Sequence, residues 1–266
     1  PLRDLRQPSA PPDREEPFDP TELRHRWLRE GEPAAGGGYV LYWMQMYHRG
    51  RANPALNEAV RRAHRLDLPV VVYQGLNHDY PEANDRVHRF ILESARDTAR
   101  TLAERDIPYV FHLDRGDGRR RPAAAEMIRG SALTVVDDFP AFILPAVTRR
   151  AMERTADAGV PVLSFDANGV VPMRAFDRRE YAARTLRPKL HRLLPACLHP
   201  VEELDAPTPE GGLDLPVGGI GEELRGADDE ALARLVASCE IDHDVLPSLR
   251  FTGGRRAGLD RLERFV

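Results

Sequence analysis

Five short apolar runs, separated by segments with helical periodicity, constrain the fold of this chain more than any other feature. The runs span residues 39–44, 69–73, 108–113, 133–136 and 160–165. Each run is continuously apolar, which is typical of strands that are buried on both faces. Every gap is long enough for a crossover connection, so the pattern predicts βαβ units. We therefore predict an α/β fold with a Rossmann-like five-stranded parallel sheet and helices on both faces.

Amphipathic segments fill the gaps between these runs. The clearest predicted helix spans 54–66, with Asn53 as its N-cap and Pro54 in its first turn. Further helices are predicted at 81–105, 122–128 and 140–158, because apolar residues recur there on one helical face. This regular alternation assigns residues 39–195 to one α/β domain.

The two ends of the chain differ from this domain in composition. Residues 1–38 are rich in Pro, Arg and Glu, and we interpret them as a flexible N-terminal arm with one short helix at 20–30. Residues 196–252 are predicted to be a Pro- and Gly-rich connector, a loop-rich C-terminal extension with one short helix at 230–238. A last helix within 253–266 carries an apolar stripe of Leu259, Leu262 and Phe265, so it needs a packing partner.

Composition excludes several classes of protein. The 266 residues carry a formal net charge of −4, which argues against non-specific polyanion binding by the whole chain but leaves a local basic face open. Two cysteines, Cys197 and Cys239, are too few for a disulfide framework and show no metal-ligand spacing. No apolar run approaches the ~20 residues of a membrane span, and no signal-peptide core is present. We expect a cytoplasmic protein with no membrane partner.

Several well-known catalytic motifs are missing. The first strand is followed by Met44-Gln45-Met46-Tyr47 rather than by a G-x-G-x-x-G turn, and there is no P-loop, H-E-x-x-H or G-x-S-x-G. The classical dinucleotide, NTPase, zincin and hydrolase functions therefore lack support. Histidines at 48, 64, 78, 88 and 112 fall on separate elements, which favours surface or capping roles over a metal cluster. No residue is predicted to be catalytic or to bind a metal.

Polar residues follow the first and fourth strands, where open α/β sheets place their ligands. Arg51 and Asn53 follow the first strand, and Asp137 and Asp138 end the fourth. The two aspartates are either a carboxylate pair or helix N-caps. Arg51 either faces the crevice at the strand ends or pairs with one of the aspartates.

The stretch from 165 to 190 holds the densest set of polar residues. Asp166 and Asn168 lie in a predicted turn, and a helix is predicted from 177 to 193. Arg184 and Arg187 share one face of that helix and are spaced to grip a phosphate or a carboxylate. The alternative is a solvated helix with internal ion pairs. We expect Pro188 to interrupt the helix.

These residues resemble a known family. The chain is similar to the N-terminal half of DNA photolyases, and among them to the class II cyclobutane-pyrimidine-dimer photolyases. The similarity is carried, in order, by YVLYWMQMYHRGRANPAL (39–56), LPVVVYQGL (68–76), YPEANDRVHRFILES (80–94), IPYVFHL (107–113), VVDDFP (135–140) and DANGVVPMRAFDRREYAARTLRPKL (166–190). Ala52 departs from the pattern, since the family usually has Asp there.

The resemblance implies an antenna-type domain whose family partner is a helical domain that binds FAD and repairs pyrimidine dimers by light-driven electron transfer. That partner, in cis or in trans, would follow the helix at 253–266, and DNA would be reached only through it. The chain alone is not expected to repair DNA. The resemblance also implies a deazaflavin or folate pigment, with contacts from Met44, Gln45, Arg51, Asn53, Asp138, Phe139 and Asn168. A domain interface is implied for Arg184, Arg187 and Lys189.

Two other functions stay open at the level of sequence. The first is a stand-alone photolyase-like domain that binds a small molecule or catalyses a different reaction. The second is a non-catalytic interaction module that docks through residues 240–266. A pigment spectrum, a partner and the effect of deleting 240–266 would separate these three functions.

Overall fold

A six-stranded sheet forms the centre of the molecule in the computed structural model, which describes residues 19–118, 123–208 and 212–266. The strands are β1 (His25–Arg29), β2 (Val40–Trp43), β3 (Val70–Leu76), β4 (Tyr109–Leu113), β5 (Leu133–Asp137) and β6 (Val162–Phe165). Their order is β1-β6-β5-β2-β3-β4. Strands β2 to β6 pair in parallel, which confirms the Rossmann-like α/β prediction. The predicted number of five strands is one too few, because β1 adds an antiparallel strand to β6.

The extra strand lies in the segment that was predicted to be a flexible arm. The predicted helix at 20–30 is wrong: Glu22–Arg24 form one 3-10 turn, and His25–Arg29 form β1. The side chain of Arg24 donates to the carbonyl of Asp166 at 2.8 Å, just beyond β6. Backbone pairing with a distant strand overrides the local helix-start signals. Residues 1–18 of the predicted arm lie outside the described residues.

Four helices cover the two faces of the sheet, as predicted. They are α1 (Pro54–Leu66), α2 (Asp85–Ala103), α3 (Ala123–Arg129) and α4 (Leu144–Arg154). The helix α1 packs on Val40 and Tyr42, whereas α3 and α4 pack with Leu41 and Trp43 on the opposite face. Alternate side chains of β2 thus enter different clusters, as the pleat of a strand requires. The helix α2 begins four residues later than predicted, because Asn84 is its N-cap.

The fifth helix, α5 (Ala183–Cys197), differs from the predicted one in its start and in its continuity. It begins six residues later than expected and runs through Pro188 and Pro195, so the predicted interruption is wrong. Both prolines are exposed, and water can therefore satisfy the carbonyl groups that a proline leaves without a donor. Cys197 is the one residue of α5 that is fully buried.

The connector is folded onto the domain and contains α6 (Gly221–Gly226) and α7 (Asp229–Ala237), before α8 (Arg255–Glu263). The helix α6 was not predicted. Just before it, the backbone N–H of Ile220 donates to the carbonyl of Phe111 at 2.9 Å, along the outer edge of β4. A Cβ atom at Gly221 would lie 2.2 Å from the carbonyl oxygen of Tyr109, so only glycine permits this approach. The connector therefore covers an edge that would otherwise be open.

The order of the parallel strands reverses between β2 and β5. The chain runs outward from β2 through β3 to β4, crosses back to β5, and then continues to β6. In open α/β sheets, ligands bind beside the carboxyl ends of the strands at such a switch point. The loops that follow β2, β5 and β6 are therefore the expected place for a ligand site.

Candidate functional site

Asp137, the last residue of β5, organises the loop that follows β2. Its carboxylate accepts hydrogen bonds from the Tyr42 hydroxyl at 2.8 Å and from the backbone N–H groups of Gln45 at 3.0 Å and Met46 at 2.7 Å. Asp137 is 4% exposed. Burial raises the pKa of Asp137, and these donors oppose the rise. Asp137 is thus neither a helix N-cap nor a free member of a carboxylate pair; it anchors a loop.

Asp138 is held by two cations from other parts of the chain. Arg26 of β1 donates to it at 2.8 Å, and Arg174 makes a second, short ion pair with its other oxygen. Burial alone would raise the pKa of Asp138, but the hydrogen bonds from Arg26 and Arg174 lower it overall. Arg51 pairs instead with Glu104 at 3.2 Å, so the alternative in which Arg51 pairs with an aspartate of β5 is wrong.

Asn168 ties the three loops of the switch point together. Its Oδ1 accepts a short hydrogen bond from the Tyr47 hydroxyl, and its Nδ2 donates to the carbonyl of Asp138 at 2.5 Å. The carboxylate of Asp166 holds the backbone N–H of Asn168 at 3.0 Å and that of Met173 at 2.7 Å. Asn168 therefore lies at the switch point and links the three loops through contacts within the protein.

Three further residues of the predicted ligand site also support this framework. Asn53 is 1% exposed, caps α1, and donates to the Tyr42 hydroxyl at 3.1 Å. Met44 is 1% exposed and packs in the core beside α1. Gln45 is half-buried and donates to the Thr148 hydroxyl at 3.0 Å. These side chains position the loop after β2 through contacts within the protein.

The loop after β5 exposes an aromatic surface. The rings of Phe139 and Phe142 are stacked at a centroid distance of 6.1 Å. Phe142 is 87% exposed and Ile143 is 62% exposed. Phe142 has φ = 57°, a left-handed conformation that costs an L-residue roughly 1–2 kcal/mol. Phe139 was predicted from the sequence, whereas Phe142 was missed because no local signal reports its backbone angle.

An open groove of about 480 Å³ lies between the loop after β2 and α8. Arg49 and Arg255 bring two guanidinium groups to it, while Met46 and Leu259 add apolar surface. Burial lowers the pKa of His48, which favours the neutral ring there. The other lining residues are Tyr47, Ala52 and Gly258. This combination suits a ligand that joins an anionic group to a flat apolar ring.

None of the seven residues predicted for the ligand site lines this groove. Most of the predicted residues lie in the framework behind the loop, whereas Met46 and Arg49 of the loop itself line the groove. Met46 lies within the stretch that stands in place of the glycine-rich turn, so its position in the sequence already indicated a candidate ligand contact. Arg255 comes from the far end of the chain, and only the folded structure places it beside Arg49.

The helix α8 is fixed at its first turn. The backbone N–H of Gly253 donates to Glu93 at 2.7 Å, and that of Arg256 donates to Asp97 at 3.0 Å, both on α2. Beyond this clamp the apolar stripe is open. The exposed fractions are 37% for Leu259, 54% for Leu262 and 88% for Phe265.

The predicted interface residues on α5 lie apart from this groove and differ among themselves. Lys189 makes a short ion pair with Glu180. Arg184 and Arg187 are exposed.

Within the described part of the chain, no group of three or more His, Cys, Asp or Glu residues could hold a metal ion. No helix there is both long and apolar enough to cross a membrane.

The sequence is similar to that of known photolyases. Residues 40–209 match the DNA photolyase family. The deoxyribodipyrimidine photo-lyase of Methanothermobacter thermautotrophicus is 33% identical over 249 residues, which are 91% of this chain and 50% of that relative. The deoxyribodipyrimidine photo-lyase of Arabidopsis thaliana is 32% identical over 171 residues, 64% of this chain and 34% of that relative. The chain thus spans half or less of these relatives.

Solved structures share the fold. An archaeal photolyase from Sulfolobus tokodaii, solved with two FAD molecules, superimposes with a TM-score of 0.54 at 14% identity, covering 85% of this chain and 46% of that one. A class III photolyase from Agrobacterium tumefaciens gives a TM-score of 0.52 at 16% identity, covering 90% of this chain and 45% of that one. At these identities the similarity shows the α/β fold alone.

Proposed function

Because the chain belongs to the DNA photolyase family, we propose that it supplies the α/β antenna half of a class II-like deoxyribodipyrimidine photolyase. In this function, light-driven repair of pyrimidine dimers in DNA requires a helical FAD-binding domain, in cis or in trans. The class II assignment rests on the motifs between 166 and 190, and the requirement for FAD rests on the resemblance. We do not expect the α/β half to repair DNA by itself.

The exposed stripe of α8 carries this proposal. Leu259 and Leu262 lie on α8, which α2 holds by its first turn, and Phe265 follows just after the helix, so this chain alone sets the orientation of the stripe. Burying one such side chain stabilises a complex by roughly 1.5–3 kcal/mol. A helical partner with an apolar groove fits this stripe, and the FAD-binding domain is the occupant to which we assign it.

The groove beside α8 is the proposed site of a pigment of the deazaflavin or folate class. When bound, such a pigment absorbs light and passes the excitation energy to the flavin. Arg49 and Arg255 would hold its anionic group, and Met46 would pack on its rings. Phe139 and Arg51 remain proposed contacts, although neither lines the groove. Met44, Gln45, Asn53, Asp138 and Asn168 would act by keeping the loops in place.

Mixing the chain with a separately produced FAD-loaded helical polypeptide tests the docking. We expect a complex in size-exclusion chromatography, and dimer repair under blue light only when both polypeptides are present. The double substitution Leu259→Asp/Leu262→Asp should abolish both. The matched control Leu246→Asp/Leu249→Asp changes two exposed leucines outside α8 and should preserve both. Absence of a complex with the unsubstituted chain would refute the proposal.

One observation favours the alternative of a stand-alone small-molecule binder: this chain alone forms the groove. The absorbance spectrum and mass spectrum of the purified protein would reveal a pigment or a nucleotide-like ligand. We expect Arg49→Ala/Arg255→Ala to lose it and Arg150→Ala to retain it. A tightly bound ligand together with no affinity for any helical polypeptide would favour the stand-alone function.

A further inference from the structure

The charge of α5 differs from that of the rest of the chain. Its sequence, ARTLRPKLHRLLPAC, holds four basic residues and no acidic one. The whole chain, by contrast, has 42 acidic and 38 basic residues. Two more arginines, Arg178 and Arg179, are exposed just before the helix. A locally cationic surface therefore stands on a protein with a net charge of −4.

The two faces of α5 are clearly segregated. Helical periodicity places residues 184, 187, 191 and 192 on one side, and all four are exposed. Leu186, Leu190 and Leu193 lie on the other side and are half-buried, next to the buried Cys197. The helix thus uses its leucines to sit on the protein and presents its arginines to the outside.

Among the residues that the structure describes, the outward arginines have no acidic partner. Lys189 is neutralised by Glu180. Arg184, Arg187 and Arg192 are exposed, and no ion pair joins them to any residue in 19–118, 123–208 or 212–266. Neighbouring unpaired cations repel each other, and an external anion would relieve that repulsion.

We propose that this outer face of α5 binds the phosphate backbone of DNA, so that the α/β half itself contributes to DNA affinity. The choice of DNA as the ligand rests on the proposed function. The cationic surface itself is observed independently of that function. The rise of a helix separates Arg184 from Arg192 by about 12 Å, which spans about three phosphates of one strand at 3.4 Å of axial rise each. Guanidinium groups can bind such phosphates in a bidentate manner.

Other partners fit this face less well. A membrane-binding helix turns its apolar side chains outward to the lipid, whereas the leucines of α5 face the protein. The centre of a protein–protein interface is depleted in charge and contains apolar anchors. Along α5 the outward positions are Arg184, Arg187, Pro188, His191, Arg192 and Pro195, with no such anchor. Exposed Tyr181, two residues before the helix, would be available to stack on a base.

Binding of a fluorescent 20-base-pair DNA duplex without dimers, to the full chain between 50 and 200 mM salt, tests the proposal. The variant Arg184→Glu/Arg187→Glu should bind at least tenfold more weakly at 50 mM salt. Its plot of log K against log salt concentration should be shallower by about 2, since each phosphate contact contributes about 0.9. Arg149→Glu/Arg150→Glu, on exposed positions of α4, makes the same change in net charge and should alter affinity less than twofold.

Three outcomes would overturn the proposal: no salt-dependent binding by the unsubstituted chain, equal losses in the two variants, or loss of the FAD-polypeptide complex with unchanged DNA affinity. The last outcome would make the face a protein interface and would leave the proposed function standing. Conversely, salt-dependent duplex binding that needs Arg184 and Arg187, together with no helical partner, would support this inference and remove the proposed function. Thermal unfolding of each variant verifies that the fold is retained.

Discussion

At the scale of the residue, the switch point depends on one buried carboxylate. Replacing Asp137 with Ala should lower the free energy of unfolding by about 3 kcal/mol or more, because Tyr42, Gln45 and Met46 all lose their acceptor. Urea unfolding followed by circular dichroism measures this. Asp157→Ala removes an exposed ion pair with Arg129 and should leave the midpoint unchanged. Equal effects of the two substitutions would contradict the anchoring role of Asp137.

A second carboxylate gives a pH dependence with a defined sign. Glu58 on α1 is 3% exposed and contacts His25 of β1 and Arg62. Burial alone would raise the pKa of Glu58, but these two neighbours lower it from 4.5 to about 2. The folded-state pKa lies below the unfolded-state value, so this stabilisation is complete above about pH 4.5 and is lost as pH falls toward 2. It amounts to about 3 kcal/mol.

Unfolding free energies of the unsubstituted protein and of Glu58→Gln, measured at intervals from pH 6 to pH 2, test this. The difference between the two proteins should be largest above pH 4.5 and should shrink toward pH 2. Parallel curves over the whole range would show that Glu58 is not the titrating group.

Residue roles could be predicted where the partner is close in sequence. Asn53 is the N-cap of α1 as expected, because a cap needs only the next three residues. The role of Asp137 could not be predicted, since its donors lie about 90 residues earlier in the chain. The same holds for Arg255, which only the folded chain brings to Arg49.

At the scale of the element, the close approach of α6 to β4 predicts a strict requirement for glycine. Gly221→Ala would place a Cβ atom 2.2 Å from the carbonyl oxygen of Tyr109 and should cost about 1–3 kcal/mol. Gly226→Ala, in the same helix, meets no atom within 4 Å and should stabilise the fold by about 0.4–1 kcal/mol. Thermal unfolding of both variants measures these changes in stability. An unchanged stability of Gly221→Ala would mean that α6 is not held against β4.

Elements were predicted well where local pattern and tertiary contacts agree. The bounds of α1 match the prediction, since its cap, its proline and its apolar face all indicate the same helix. Two elements were mispredicted, one because of a distant contact and the other because of exposure to water. The segment His25–Arg29 has helix-start signals before it but pairs with β6, and Pro188 stays inside α5 because its side of the helix faces water.

At the scale of the whole molecule, the connector belongs to the core. A chain shortened to residue 246 should keep its fold, because the removed segment contains only one buried residue, Gly253. A chain shortened to residue 208 loses Leu224, Leu232 and Leu235, which are buried beside Leu92 and Phe111. At roughly 1.5–3 kcal/mol for each side chain, this loss rivals the total stability of a typical domain.

Circular dichroism and thermal unfolding of the two shortened chains test this difference. We expect a cooperative transition for the first and none for the second. A cooperative transition for the chain that ends at 208 would mean that the connector is dispensable.

The architecture was predictable because five apolar runs specify a parallel sheet whatever the loops do. The way in which the connector wraps the sheet was not, because its contacts with β4 use backbone groups and glycines. Such contacts leave no apolar periodicity in the sequence. The composition of residues 196–252 predicted a loop, whereas in the structure this segment packs along the outer edge of β4.

The connector protects the outer edge of β4, and this has a consequence for synthesis on the ribosome. All six strands have been translated once Phe165 is made, yet the residues that shield β4 end only at Val236 of α7. At 5–20 residues per second, the ribosome needs about 4–14 s to add those residues. During that interval the nascent sheet has a bare edge that can pair with other chains. Slowing translation between residues 165 and 236 should therefore increase aggregation, and a chaperone that binds strand edges would act on this protein before its last helix exists.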